Sequence, residues 1–372
     1  MPAVSVLMPA YNAARYLAKT LDSLFVQTFA DWELIVVDDG STDATPDILR
    51  SYADSNVRVI RQANGGEARA RNTALDHATG EFIAFLDSDD LYTPNALQEM
   101  VAFMRAHPEF DAAFADGYFC DENDRPLMRL SEHRPGIYTG RILEQVVLSG
   151  SVITVPVCTI VRRAIIERHH LRFDPQFVIG PDWDFWIRVA RVANFGYIDA
   201  ITCLYRVHQT NITRTSGRQR RVDDLVRGRL KVMNADWFVD LSAATRRQFF
   251  FDLLLELLKD APDQQAHILD SAPFQTLPPS DRAALWRQVG VDRLRQAATY
   301  DFAVRCLARA QQLDPADRKG RLVMTAMRLG GRPAALTLIR AWQLARHAID
   351  RIRRVSRGGP KSVPSALRPL GS

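Results

Sequence analysis

The feature that most constrains this chain is an alternation, from residue 3 to about 116, of short apolar stretches with longer amphipathic ones. Strand-like stretches fall at 4–8, 33–37, 57–60, 82–86 and 112–115, and helix-like stretches at 13–27, 46–54, 67–78 and 94–106. Parallel strands buried on both faces read as near-continuous apolar runs, and the helices between them act as crossovers. The pattern predicts an α/β fold: a Rossmann-like, mostly parallel sheet covered by helices. Ligands bind such sheets beyond the carboxyl ends of the strands, so the residues that end each apolar run carry the chemistry.

Beyond this region the character changes twice. Residues 117–180 are less regular, interrupted by Pro126, Pro135, Pro156 and Pro175, and are read as the acceptor side of a cleft. A helix is predicted to start near Pro181, with Phe185, Ile187, Val189 and Ala190 as apolar positions, and to lead into a strand over 197–205. After about residue 215 helical patterns cover 222–238, 243–260, 280–289, 292–312, 318–329 and 333–355. The predicted organisation is an α/β domain over 1–215, a helical C-terminal domain over 216–331, and a basic amphipathic helix with a disordered tail over 332–372. Residues 300–310, followed by Leu313-Asp314-Pro315, resemble half of a tetratricopeptide-type hairpin. One copy is no array, because stacked repeats need about three units to bury a continuous core.

Charge is unevenly spread. The chain carries a formal +5, but residues 332–361 hold eight Arg or Lys against the single acid Asp350, which leaves the rest of the chain at −2. That argues against a nucleic-acid-binding body and for a local basic patch. Leu338, Trp342, Ala345, Ile349 and Ile352 recur at helical spacing beside Arg351, Arg353, Arg354 and Arg357. Such a helix either lies on an anionic membrane surface, giving peripheral contact, or docks on its own domain. The start of the sequence shows no secretory leader, the apolar stretch 249–258 is broken by Asp252 and Glu256, and Cys120, Cys158, Cys203 and Cys306 show no CxxC spacing. A cytoplasmic protein is expected, peripheral at the inner face of the membrane if the basic helix binds lipid.

Three strand ends are rich in polar groups. Asp87-Ser88-Asp89-Asp90 follows Phe82-Ile83-Ala84-Phe85-Leu86 directly. Hard carboxylate oxygens there suit Mg²⁺ or Mn²⁺, which need few protein ligands because they also hold phosphate and water; an ordinary acidic surface turn is the alternative. Pro9-Ala10-Tyr11-Asn12 and Asp38-Asp39-Gly40-Ser41-Thr42-Asp43 end the first two strands and offer an aromatic face and carboxylates, the parts of a nucleoside pocket. Tyr11 could equally be packing and Asp43 a helix cap before Thr45-Pro46. Asp38 and Asp39 repel each other unless donors or ligands offset them. In Asn64-Gly65-Gly66-Glu67-Ala68-Arg69-Ala70-Arg71-Asn72, glycines open a helix, whose N-terminus favours anions. Arg71 there either pairs with a diphosphate or base or forms an exposed salt bridge.

In this order the pieces resemble glycosyltransferase family 2: P-x-Y-N, V-D-D-G-S-x-D, N-x-G-x-x-x-A-R-N and D-x-D-D, over roughly residues 3–210. The resemblance implies a GT-A fold and an inverting transfer of a hexose from a nucleotide-diphosphate sugar, most commonly a UDP-sugar, with Mn²⁺ or Mg²⁺. It implies donor contacts at Pro9, Tyr11, Asn12, Asp38, Asp39, Asn64, Gly66, Arg71, Asp87 and Ser88, and a metal held by Asp89. Gly180-Pro181-Asp182-Trp183-Asp184-Phe185-Trp186-Ile187-Arg188 resembles the family's E-D-x-x-x-W-x-R segment, with Pro181 where an acid is common. This implies Asp182 as the catalytic base, ahead of Asp184 because Trp186 and Arg188 keep their offsets, and puts those two in the substrate site. Residues two apart on a helix do not share a face, so only one of the aspartates can enter the cleft. Tyr205-Arg206-Val207-His208-Gln209-Thr210-Asn211 resembles the family's Y-R-x-H-x-x-N, which implies that His208 reaches the metal or the diphosphate.

The expected acceptor is a hydroxyl of a glycan or of a lipid-linked saccharide, as in bacterial polysaccharide or lipopolysaccharide assembly. A glycoside hydrolase would not need nucleoside contacts at strand ends. A sugar nucleotidyltransferase would need a glycine-rich basic loop after the first strand, and residues 9–15 hold no glycine. A catalytically inactive nucleotide-binding scaffold is the third reading.

Overall fold

A computed structural model describes residues 1–52, 54–259 and 261–355, with the side chains of Thr213 and of 342–355 left out of the description. The tail expected from Gly358, and Trp342, Ala345, Ile349, Ile352 and the basic side chains among them, lie outside it. By its internal contacts the chain forms one unit over Met1–Gly228 and a second that begins at Arg229.

The first unit is built on a nine-stranded sheet. Strands β1 (Val4–Ala10), β2 (Trp32–Asp38), β3 (Val57–Arg61) and β4 (Phe82–Phe85) alternate with helices α1 (Leu17–Phe25), α2 (Thr45–Ser51) and α3 (Glu67–His77). They stand in the order β3-β2-β1-β4, all parallel. β1 and β4 are buried along their whole length, as parallel strands covered on both faces should be. β3 ends the sheet and exposes Arg58, Val59 and Arg61, charges suited to an unpaired edge. The chain runs outward from β1 to β3 and returns through α3 to β4 on the other side of β1. The crevice this reversal leaves lies beyond the carboxyl ends of β1 and β4, where the polar clusters are.

The other half of the sheet departs from the parallel pattern. After β5 (Leu91–Tyr92) and α4 (Ala96–Ala106), β6 (Ala112–Cys120) extends five residues past the predicted stretch and turns back into β7 (Pro126–Arg129). β8 (Thr159–Arg162) then enters between β4 and β6, antiparallel to both, and β9 (Phe195–Arg206) runs parallel to β6 and antiparallel to β5. A parallel neighbour needs a crossover long enough to carry the chain back across the sheet, usually a helix. The long segment between β7 and β8 carries the chain back in this way, so β8 runs in the same direction as β7 and both are antiparallel to β6. Sequence pattern missed β7 because it is mostly exposed, and β8 because four residues carry too little periodicity.

The helix Pro181–Val192 starts where expected. Gly180 precedes it with φ of 75°, a left-handed conformation that suits glycine, and Pro181 occupies the first turn. Its inner face joins an aromatic core: Phe185 stacks on Phe173 at 4.0 Å, and Phe85 of β4 meets Phe173, Phe185 and Trp186 edge-on at 5.9–6.2 Å. This cluster presses the helix against the strand that ends in Asp87.

The second unit is helical. Phe238, Phe249, Phe250 and Phe274 pack edge to face, and the hairpin-like segment Tyr300–Leu313 joins a core of Leu294, Ala303, Leu307, Val323, Met327, Ala335 and Ile339. The stretches predicted at 280–289 and 292–312 are Pro279–Arg293 and Tyr300–Leu313, separated by a turn in which the Thr299 hydroxyl donates to the freed Arg293 carbonyl at 2.8 Å. The span Arg318–Val355 is broken at Gly330 and Gly331, as the sequence predicts, with Pro333 just beyond. No helix among the described residues is long and apolar enough to cross a membrane, and the four cysteines are buried without disulfides.

Because Phe85 is fully buried with three aromatic neighbours, Phe85→Ala should cost about 3–5 kcal/mol in chemical denaturation. A loss near that of an exposed substitution would mean that this cluster is not what holds the helix to β4.

Candidate active site

The first wall of the crevice is a set of interlocked turns. Beyond β1, Asn12 takes a left-handed φ of 49°, its N–H donates to Ser41 Oγ at 2.9 Å, and its Oδ1 accepts the Thr42 N–H at 2.8 Å. Ala13 N–H donates to Thr45 Oγ1 at 2.8 Å. Asp43 accepts N–H bonds from Ala14 at 3.1 Å and Thr45 at 2.9 Å. Burial works against its charge, but these bonds outweigh it and hold the carboxyl below the usual range. Asp43 therefore braces the turn into α2 without being its N-cap, which is Ala44 with no side-chain cap bond, while Tyr11 stands out from the wall, 53% exposed.

Asp38 and Asp39 are both buried, and protein donors offset their repulsion. Asp38 Oδ1 accepts the Ser41 N–H at 2.9 Å, with Arg61 Nη1 3.6 Å from Oδ2. Asp39 accepts the Gln62 side-chain amide at 2.6 Å and the N–H groups of Gly65 and Gly66 at 2.7–3.1 Å. It thus ties the end of β2 to the start of α3. Gly40, with φ of 79°, lets the two loops meet: a Cβ there would lie 2.9 Å from the Asn64 nitrogen. Exposed on this wall are Tyr11, Asn12, Thr42, Asp43, Asn64 and Gly66, with Pro9 and the two aspartates behind.

At the centre of the crevice stands Arg71, with no exposed side-chain surface. Its Nη1 meets Glu67 Oε1 at 2.6 Å and donates to Asp182 Oδ1, its Nη2 donates to Asp87 Oδ1 at 2.6 Å, and the guanidinium lies 5.2 Å over the Phe173 ring. Asn72, next to it, exchanges two hydrogen bonds with the Phe173 backbone, at 2.7 and 2.8 Å. Arg71 is thus neither an exposed salt bridge nor a free anion receptor; it binds β4, α3 and the helix from Pro181 together. Three carboxylates face one cation, so their charges do not balance. Burial pushes Glu67 up to about 8, Arg71 opposing and the neighbouring aspartates adding to the rise. Burial also raises Asp182, again with Arg71 opposing and Asp87 reinforcing. Asp182 keeps a third of its side chain exposed toward the crevice.

Asp184, two residues on, is turned to its own helix, where Arg188 donates to Oδ2 at 2.6 and 3.1 Å. Trp186 is 2% exposed and packs on Phe85, Phe185 and Phe195. Trp186 thus faces the aromatic core, and Arg188 is held by the acid four residues earlier on its own helix.

Past Asp87, Ser88 accepts the Thr20 hydroxyl at its carbonyl, at 3.1 Å. Asp89 Oδ2 lies 2.9 Å from His208 Nε2, and Thr210 Oγ1 lies 2.8 Å from Nδ1. A carboxylate oxygen and an imidazole nitrogen at this separation fit a divalent cation, since adjacent ligands bonded at 2.0–2.1 Å sit about 3 Å apart. Among the described residues no group of three or more His, Cys, Asp or Glu forms a cation cage, but Mg²⁺ held also by substrate phosphates needs only one or two protein ligands. Asp90 is fully buried, its Oδ1 taking the Arg206 N–H at 2.9 Å, and burial with Asp89 and Asp87 nearby drives its carboxyl well up.

Sequence reading passed over Glu67 and Phe173. Glu67 stands four residues before Arg71 on one helix, a spacing that pairs opposite charges; Phe173 had no local signal. Glu67 binds its proton more tightly folded than unfolded, so the stability it contributes is full below the ordinary carboxylate range and is lost as pH rises through about 8. Glu67→Gln, which cannot ionise, should therefore lose less stability than the native chain between about pH 5 and about pH 9. Parallel denaturation curves for the two across that range would show that Glu67 ionises normally.

With this geometry in view, the comparisons with known proteins are specific. A family model described as glycosyl transferase family 2 matches residues 5–169. An Escherichia coli protein named UDP-Glc:alpha-D-GlcNAc-diphosphoundecaprenol beta-1,3-glucosyltransferase WfgD is 30% identical over 214 residues, covering 56% of this chain and 79% of that protein. An uncharacterised glycosyltransferase of Methanocaldococcus jannaschii is 30% identical over 212 residues, covering 55% of this chain and 71% of the relative. In fold, the chain is similar to the crystal structure of S. aureus TarS 1-349 in complex with UDP-GlcNAc, with a TM-score of 0.57 and 22% identity over 85% of this chain and 92% of that one. The sheet with its covering helices is thus the GT-A fold, and the chain belongs to glycosyltransferase family 2 and is a glycosyltransferase.

Proposed function

We propose that the protein transfers a hexose from a nucleotide-diphosphate sugar, a UDP-sugar first among the candidates, to a hydroxyl acceptor by a single displacement that inverts the anomeric centre. The observation that carries this reading is the convergence of Asp182 with Asp87 on the Arg71 guanidinium, since it puts a third-exposed carboxylate beside the strand end where a diphosphate would lie. The donor's base would stack on Tyr11, with Pro9, Asn12, Asn64 and Gly66 around the nucleoside and Asp38 and Asp39 bracing that wall. Asp87 and Ser88 would adjoin the donor sugar and diphosphate, and Arg71 would act on them from behind Asp87.

Asp182 would take the proton of the acceptor hydroxyl as its oxygen attacks the anomeric carbon and the nucleoside diphosphate departs. A base works best with a pKa near the working pH, and the upward pull of burial on Asp182, opposed by Arg71, moves it that way. The Arg188 pair on Asp184 supports Asp182 over its neighbour. Asp89 and His208 would hold Mn²⁺ or Mg²⁺, which when bound supplies charge neutralisation for the leaving diphosphate.

For the acceptor we propose a glycan or lipid-linked saccharide of envelope polysaccharide synthesis, supported by the diphosphoundecaprenol substrate in the name of the Escherichia coli relative. The excess of basic residues over 332–361 supports peripheral contact with an anionic membrane. Full-length protein should then sediment with anionic vesicles while a chain ending at Gly331 does not; equal binding would remove the membrane from this reading.

Two measurements test the chemistry. UDP, GDP, dTDP and CMP, each with and without Mn²⁺, should separate in thermal stabilisation, one diphosphate adding about 2.7 kcal/mol at about 100 times its dissociation constant; no stabilisation by any of them would sink the donor assignment. Asp182→Asn should lower turnover by about 10²–10⁴-fold and leave nucleotide binding intact, whereas near-native turnover would move the base elsewhere.

A further inference from the structure

The turn between β6 and β7 lies in the region expected to face the acceptor, yet its side chains reach the donor side. Asp121 shapes the turn, its Oδ1 accepting the N–H groups of Asn123 at 2.8 Å and Arg125 at 3.0 Å. Asp124 sits there with a left-handed φ of 67°. One of its oxygens accepts Nε and Nη2 of Arg206 at 2.9 and 2.5 Å, and the other accepts Lys19 Nζ of α1 at 2.6 Å.

Arg206 has no exposed side-chain surface, and the carboxylate that its side chain meets is Asp124. The same guanidinium donates through Nη1 to the carbonyl of Asp89 and lies 4.6 Å over the ring of Tyr16. Tyr16 in turn packs its ring 4.6 Å from that of His208. Arg206 therefore touches both members of the Asp89–His208 pair, one through its main chain and the other through an aromatic spacer. A buried cation holds its place only while its charge is balanced.

We propose that Asp124 is a positioning residue for the cation site, holding Arg206 so that the Asp89 backbone and the Tyr16–His208 stack keep the two ligands together. The proposal rests on the reading of Asp89 and His208 as cation ligands. It assigns to the β6–β7 turn the task of setting the divalent-cation affinity of the donor site. Groups behind metal ligands typically change affinity by about 10–100-fold when removed.

The test is Mn²⁺ binding by the full chain, followed by the paramagnetic resonance signal of free Mn²⁺, alone and with UDP. Asp124→Asn keeps a residue type that tolerates the left-handed turn but removes the charge, and should weaken Mn²⁺ binding by about 10–100-fold while metal-free UDP binding stays as in the native chain. Lys19→Gln, which removes the other partner of the same carboxylate, should bind Mn²⁺ like the native protein. Should Asp124→Asn fail to fold, Arg206→Lys serves instead, because an ammonium cannot span Asp124 and the Asp89 carbonyl as the planar guanidinium does; it should show the same loss. Native-like Mn²⁺ affinity in the variant, or an equal loss in Lys19→Gln, overturns the proposal while leaving Asp89 and His208 as ligands. Failure of the native chain to bind Mn²⁺ with UDP overturns the cation reading, and this inference with it.

Discussion

A guanidinium with no exposed surface, shared among Glu67, Asp87 and Asp182, is the interaction on which the rest of the site depends. Taking Arg71 out of water is tolerable only because carboxylates replace its hydration, and removing one partner of a buried pair costs about 3–5 kcal/mol in comparable cases. Each carboxylate comes from a different place: α3 itself, the end of β4, and the first turn of the helix from Pro181. The ion cluster therefore does what a covalent link would do, holding a helix from late in the unit against a strand from its first half. The aromatic packing of Phe85, Phe173 and Phe185 beneath it closes the same joint on the apolar side.

The excess of negative charge is as telling as the pairing. An unbalanced third carboxylate adds repulsion to an ion cluster, and carboxyls lifted from their ordinary range by burial and like charge gather at functional sites. The raised Asp182 and Glu67 meet on Arg71 and the raised Asp90 lies fully buried, while Asp43, whose bonds serve the loop, is held low. The crevice is thus divided into a braced wall of interlocked turns and a titratable centre, and the division follows hydrogen-bond supply.

Much of the fold could be read along the chain. The parallel half of the sheet follows from continuous apolar runs, and the placement of polar clusters at the ends of β1, β2 and β4 follows from where those runs stop. β7 and β8 were not legible, because an exposed edge hairpin and a four-residue strand have no periodic signature. Within the helix Pro181–Val192, the i,i+4 spacing of Asp184 and Arg188 already paired them, whereas Trp186 is buried against Phe85 of β4 and Phe195 of β9. No such spacing joins Asp124 to its Arg206 partner, which lies 82 residues away.

By itself, then, the sequence determined which residue types end the strands, the family to which their order belongs, and the local pairs that a helix turn enforces. Those are properties of neighbours, set by side-chain period and backbone preference. The tertiary structure decided which of two aspartates two residues apart faces the crevice, that Arg71 is sealed behind carboxylates and not presented to solvent, and that a hairpin from the irregular region reaches Arg206. Each depends on packing across long sequence separations, where burial fixes the charge partners and no local pattern records them.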